Sequence, residues 1–118
     1  MADKPKIGAG NVEIELDGVP YTLKPTLRAA RMVSQNFGGF QKALAAIGNL
    51  DLDAYVSVIA AGVGAKASDV NEIAEAVWRT GMPGLADPVV TYLTNLANGG
   101  RPLDNAGGSG DENPQTDQ

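Results

Sequence analysis

Apolar and polar residues alternate along the segment that reads GNVEIELDGVPYTLKPT, between Gly10 and Thr26. Such an alternation is typical of half-buried strands, and Asp17-Gly18 has the composition of a two-residue hairpin turn. This turn places six apolar side chains on one face of a hairpin, in three cross-strand pairs: Leu16 with Val19, Ile14 with Tyr21, and Val12 with Leu23. Because a lone hairpin is only marginally stable in water, this apolar face needs a cover.

Helical periodicity follows the hairpin and continues to about residue 100. It predicts five short helices, each with one apolar stripe. The stripes are Leu27, Ala30, Val33 and Phe37; Phe40, Ala43, Leu44 and Ile47; Leu52, Tyr55 or Val56, Ile59 and Val63; Val70, Ile73, Val77 and Trp78; and Val89, Tyr92, Leu93 and Leu96.

Capping and breaking residues give the expected ends of these helices. The predicted starts are Thr26 for the first helix, Asp51 or Asp53 for the third, Ser68 with Asp69 for the fourth, and Asp87 with Pro88 for the fifth. The predicted ends are Gly38-Gly39, Gly48-Asn49, Gly62 to Gly64, Gly81 and Gly99-Gly100, and Met82-Pro83-Gly84 is predicted to form the turn before the fifth helix.

These elements predict an α+β fold in which a two-stranded antiparallel hairpin packs on about five short helices. We expect three segments along the chain: a flexible arm over residues 1–10, a folded domain over residues 11–100, and a disordered acidic tail over residues 101–118. The tail contains a single aliphatic residue, Leu103, so it buries too little apolar surface to offset the entropy of ordering.

Composition excludes several classes of function. Nine basic residues against fourteen acidic ones give the 118-residue chain a net charge of −5, and it has no basic cluster for nucleic acid. It also has no Cys and no His, so we expect neither disulfides nor imidazole or thiolate catalysis. The charged N-terminus does not resemble a signal peptide, and no apolar run approaches a membrane span of about 18 residues. We therefore expect a cytosolic protein that binds neither nucleic acid nor membrane.

No group of residues predicts an active site. Asp51 with Asp53 is interpreted as a helix cap with its first-turn acid, and Glu72 with Glu75 as a solvated helix face. The glycine pairs follow helices rather than precede them, unlike a phosphate cradle. We therefore assign no catalytic, cofactor-binding or metal-binding residue, and the chain is not expected to be an enzyme.

Two sets of residues have both a structural and a functional interpretation. Arg28 and Arg31 form either a solvated helix face or a contact for an anion or a partner. The second set lies around the turn between the last two predicted helices and comprises Trp78, Met82, Leu85 and Tyr92. These side chains either pack in the core or line a partly exposed apolar groove that binds a partner helix.

The segment GNVEIELDGVPYTLKPTLRAA resembles the opening of the gene-transfer-agent-like tail protein family of tailed phages and prophages. Members have a strand, an Asp-Gly turn, a Tyr-Thr-Leu-Arg/Lys-Pro-Thr segment and then a helix. The matching positions here are Asp17, Gly18, Tyr21, Thr22, Leu23, Lys24, Pro25 and Thr26. The later short helices also match the family's plan, so the resemblance spans about residues 10–100. Many members carry an acidic residue early in the first helix, where this chain has Arg28, Arg31 and Ser34.

The resemblance implies a phage tail assembly chaperone. Chaperones of this type bind the long tape measure protein, keep it soluble and are absent from the finished particle. The implied location is the cytoplasm of the bacterial host, with the tail tube protein as a further candidate partner and self-association left open. The alternative is a structural minor tail component, or part of the tail tube or its junction.

Overall fold

The computed structural model of the protein describes residues 9–103. Strand β1, Val12–Leu16, pairs antiparallel with β2, Val19–Leu23, in the register expected from the sequence. The backbone is left-handed at Asp17, with φ 54°, and at Gly18, with φ 83°. Two consecutive positive φ angles define the type I′ turn that matches the right-handed twist of a hairpin. The predicted hairpin is confirmed.

Five α-helices follow the hairpin in the described part of the chain. Their bounds are Leu27–Phe37 for α1, Phe40–Gly48 for α2, Leu52–Val63 for α3, Val70–Thr80 for α4 and Met82–Ala97 for α5. One turn of 3-10 helix, Ala67–Asp69, precedes α4. The α+β fold class is therefore confirmed. None of the helices in residues 9–103 has the length and apolar character needed to cross a membrane.

Side chains cap two of the helices as the sequence predicts. The Thr26 hydroxyl accepts a hydrogen bond from the backbone N–H of Ala29 over 3.0 Å, and an Asp51 carboxylate oxygen accepts one from Ala54 over 3.2 Å. Each oxygen satisfies one of the amides that a helix N-terminus leaves unpaired. Of the two predicted caps of α3, Asp51 is the one used.

The predicted start of the fifth helix is wrong. Helix α5 begins at Met82, so Pro83 takes the first-turn position and Pro88 lies inside the helix. A proline is tolerated in the first turn of a helix, where its missing N–H would have no partner. Pro88 cannot donate to the carbonyl of Gly84, one turn earlier. The helix continues through Pro88 because Leu85, Val89 and Tyr92 form one buried face across that position.

Helix α3 is the centre of the fold. It packs against β2 and against each of the other four helices. Both Tyr55 and Val56, the two alternatives for its stripe, are buried, and so are most residues between Ala54 and Gly62. The Tyr55 hydroxyl donates a hydrogen bond to the Ile47 carbonyl oxygen over 3.0 Å. A helix buried on nearly all sides has no single apolar stripe.

The hairpin lies against α3 and α5, with its turn held at the end of α4. The backbone N–H of Asp17 donates to the Thr80 hydroxyl over 2.7 Å, and the Arg79 guanidinium lies 3.6 Å from the Asp17 carboxylate. Five of the six predicted apolar residues of the hairpin are buried or pack against the core, but Val19 is 51% exposed. Leu16, which pairs with Val19 across the hairpin, is only 1% exposed, so the cover of the apolar face ends between these two residues.

The two ends of the described segment meet beside α5. The buried Asn95 side chain donates to the Gly10 carbonyl oxygen over 3.1 Å, while the Asn95 carbonyl accepts from the Gly100 N–H over 2.8 Å. Gly10, predicted as the end of a flexible arm, is therefore buried in the described structure. The rest of that arm, residues 1–8, and the predicted tail from residue 104 onward lie outside the described residues.

Candidate partner-binding surface

The structure separates the four residues predicted to bind a partner. Leu85 and Tyr92 are buried in the core, and Met82 is half-buried against it. Trp78 is 64% exposed. Core packing, the structural interpretation, thus accounts for Leu85 and Tyr92. Trp78 is the member that offers a large apolar surface to a partner.

Helix geometry explains why Trp78 faces away from the core. Ile73 and Val77 are buried one turn apart on α4, and Val70 is half-buried on the same side. Trp78 is five residues after Ile73, which rotates it about 140° around the helix at 3.6 residues per turn. The prediction that Trp78 shares the stripe of Ile73 and Val77 is therefore wrong.

Trp78 lies at an open depression between α4 and the start of α3, which we call the Trp78 groove. Its volume is about 660 Å³, and it is lined by Leu52, Asn71, Glu72, Ala74, Glu75 and Trp78. Residues three, four and seven positions before Trp78 lie under its side chain on a helix, and these are Glu75, Ala74 and Asn71. The apolar part of the groove is therefore formed by Leu52, Ala74 and the Trp78 ring.

The rim of the Trp78 groove is acidic. Glu72 and Glu75 are both exposed, and the six lining residues include no basic side chain. Arg79 lies 3.8 Å from Glu75, but the same guanidinium also approaches Asp17. Glu72 forms no ion pair within residues 9–103, so the rim of the groove keeps a net negative charge.

A second exposed apolar side chain lies at the start of α1. Leu27, predicted to join the buried stripe of α1, is 73% exposed, because Ala29 and Val33 make the buried face of that helix. Arg31 follows Leu27 by one turn and Arg28 is next to it, so the three side chains share one side of α1. We call this surface the Leu27 face. In the sequence, the feature that marks this face as exposed is the pair Arg28 and Arg31. The helical spacing of Leu27 instead suggests a buried residue.

Arg28 and Arg31 are exposed in the described structure. Among residues 9–103, the ion pairs are those of Arg79 with Asp17 and Glu75, so neither arginine of the Leu27 face makes one there. The segment from Thr26 to Leu50 also contains no Asp or Glu. The Leu27 face is therefore positively charged, in contrast to the Trp78 groove.

The polar groups in the core serve the fold. Burial raises the pKa of Tyr92 and of Tyr55, which keeps both hydroxyls protonated as hydrogen-bond donors. Within residues 9–103, no three carboxylates converge as a metal site would require, and the whole chain lacks His and Cys. The arrangement that the structure does offer is two exposed apolar side chains on helices of opposite charge.

The chain was compared with protein families, curated proteins and solved structures. No protein-family model matches the chain, and neither a curated protein nor a solved structure shows significant similarity to it.

Proposed function

We propose that this protein is a phage tail assembly chaperone, which binds helical segments of a tape measure protein through the Trp78 groove. The observation that carries the proposal is the 64% exposure of Trp78 at the edge of an apolar depression. An exposed indole ring offers a large apolar area, and a partner that covers this area removes it from water. The resemblance of the hairpin segment to phage tail proteins supports the choice of partner.

The shape of the groove suits a helical partner. A depression along one side of α4 accepts the apolar side chains that a helix presents at spacings of three and four residues. The Trp78 groove is small, so each contact is weak. Several copies bound along one long partner would supply avidity without any further contact. The net charge of −5 would then keep the coated partner in solution through mutual repulsion.

Co-expression with the tape measure protein encoded near this gene tests the proposal. We expect the tape measure protein to be soluble with the wild-type chain and to aggregate with Trp78→Ala. Leu103→Ala is the matched control, because it removes an apolar side chain of similar exposure (57%) from a depression beside α5 that shares no lining residue with the Trp78 groove. A tape measure protein that is equally soluble without this chain would contradict the chaperone role.

Two other experimental results would indicate a different binding surface or a different role. If the wild-type chain solubilises its partner and Trp78→Ala does so equally well, binding occurs elsewhere, and the edges of the hairpin become the next candidates. If the protein persists in mature particles, it is a structural tail component. A two-stranded sheet with five residues in each strand offers little for the continuous ring of sheet that a tube subunit needs.

A further inference from the structure

Leu27 and Trp78 are the two most exposed large apolar side chains among residues 9–103, at 73% and 64%. They belong to helices of opposite charge. Two arginines accompany Leu27 on α1, whereas two glutamates line the groove beside Trp78 on α4. Single exposed leucines are ordinary on protein surfaces. The informative feature is that each of these apolar residues lies within a charge pattern opposite to that of the other.

We propose that the Trp78 groove binds the Leu27 face of a second copy of this chain. In this contact Leu27 enters the apolar part of the groove against Ala74 and Trp78. Arg28 and Arg31 then approach the carboxylates of Glu72 and Glu75. The contact follows from charge and apolar surface on this chain alone, so it does not depend on the proposed function. A second copy in the groove excludes a tape measure helix from it, so the two partners compete for this surface.

The two surfaces cannot meet within one molecule. Helices α1 and α4 both pack against α3, and they make no extensive contact with each other in the described structure. Because the groove and its complement are different surfaces of the same chain, two copies make this contact either twice in a closed two-fold dimer or once in a head-to-tail arrangement. A head-to-tail contact leaves one free groove and one free Leu27 face on every dimer, so it continues into a ring or an open chain of copies.

The contact is weak and depends on salt. One helix face in one open groove buries much less area than a stable dimer interface, so association requires high protein concentration. The facing charges are exposed at the rim, where salt screens them. The screening length falls from about 30 Å at about 0.01 M salt to about 3 Å at about 1 M.

Trp78 reports directly on this contact, because it is the single tryptophan of the chain. Sedimentation velocity of the full chain, together with the emission maximum of Trp78, should be recorded as the protein concentration is raised. We expect larger species to form as the emission shifts to the blue, and the association to weaken by about tenfold or more in high salt. A chain that stays monomeric at every concentration overturns the proposal.

Charge reversal identifies the two surfaces. Arg28→Glu with Arg31→Glu makes the Leu27 face acidic, and Glu72→Lys with Glu75→Lys makes the Trp78 groove basic. Each double variant should remain monomeric, because its own two surfaces now repel each other. An equimolar mixture of the two should associate again, since each reversed surface then meets a complement on the other variant.

The control is Glu15→Lys with Asp87→Lys, which changes the net charge as the groove variant does but at exposed positions on β1 and α5. This control should associate like the wild-type chain. All six substituted residues are exposed, and circular dichroism verifies that each variant is folded. Variants that associate as well as the wild-type chain, or a mixture that does not recover association, overturn the pairing of these two surfaces.

Discussion

The hydroxyl of Tyr92 donates a hydrogen bond to the backbone carbonyl oxygen of Lys24 over 2.7 Å. Tyr92 is buried on α5, and Lys24 directly follows β2, so this bond ties the last helix to the end of the hairpin. The N–H of Lys24 donates in turn to the carbonyl oxygen of Gly62 on α3, over 2.9 Å. The hairpin, the central helix and the last helix are thus joined at one residue.

Removal of this hydroxyl should destabilise the protein. Tyr92→Phe keeps the ring in the core but removes one of the two hydrogen bonds that the Lys24 carbonyl oxygen accepts, the other coming from the Thr26 N–H over 3.0 Å. We therefore expect the free energy of unfolding to fall by about 0.5 to 1.5 kcal/mol. Urea denaturation measures the change. Tyr21→Phe is the matched control, because it deletes the same atom from a half-buried ring on the hairpin and should cost less. Equal effects of the two substitutions would contradict a special role for the Tyr92 hydroxyl.

Stability should decrease at alkaline pH. Burial raises the pKa of Tyr92 and also that of Tyr55 above their ordinary value, whereas an unfolded tyrosine has a pKa of about 10. As the pH rises, the unfolded chain therefore loses its tyrosine protons at a lower pH than the folded chain does. The stability that the two buried tyrosines contribute is complete below a pH of about 10 and is lost as the pH rises further. We expect the free energy of unfolding to fall above that pH, and less steeply in Tyr92→Phe. Identical alkaline slopes would rule out Tyr92 as a cause.

Gly62 is required by packing, although it lies inside a helix. A methyl group at this position would lie 3.0 Å from the Leu23 side chain and 3.1 Å from the Tyr92 ring. Gly62→Ala should therefore destabilise the protein by about 1 to 3 kcal/mol, because overpacking outweighs the better helix propensity of alanine. Gly48→Ala, in open space at the end of α2, should be neutral or stabilising by up to about 1 kcal/mol. Thermal unfolding compares the two, and a stabilising Gly62→Ala would show that β2 does not pack this closely.

Leu16 and Val19 face each other across the hairpin but differ in burial, with 1% of Leu16 exposed against 51% of Val19. Leu16→Asp places an unpaired carboxylate in the core, and we expect a loss of more than about 3 kcal/mol, enough to unfold the domain. Val19→Asp should cost less than about 1 kcal/mol, because its carboxylate stays in water. Circular dichroism and urea denaturation separate the two results. A folded, stable Leu16→Asp variant would refute the packing of the hairpin.

Local patterns predicted most of the fold. The alternation of Val12 to Leu16 with the Asp17-Gly18 turn specified both the strands and their register. The caps at Thr26 and Asp51 likewise specified where two helices begin. The start of α5 was not predictable in this way, because Pro83 and Pro88 are both acceptable first-turn residues. Only the burial of Leu85 against the rest of the core decides between them.

The candidate site was predicted less well than the fold. A list of apolar residues around one turn could not show which of them face the core, and Trp78 was grouped with the buried Leu85 and Tyr92. The error for Leu27 is of the same kind, since its spacing fits the stripe of α1. Exposure of a residue near a helix end depends on which elements reach that end, and this is a property of the tertiary packing. The spacing of apolar residues along one helix therefore cannot predict which residues near its end are exposed.

The hydrogen bonds of Asn95 to both Gly10 and Gly100 make the described chain nearly a closed loop. Ala9 and Leu103 line the same depression beside α5, so a short linker can join them without disturbing the core. The polypeptide can then be opened at another place, such as the exposed connection between Asn49 and Leu50. A circular permutant of this kind would begin with α3, the central helix, and end with α2. The contacts around α3, rather than the order in which the elements are synthesised, would still specify the same arrangement.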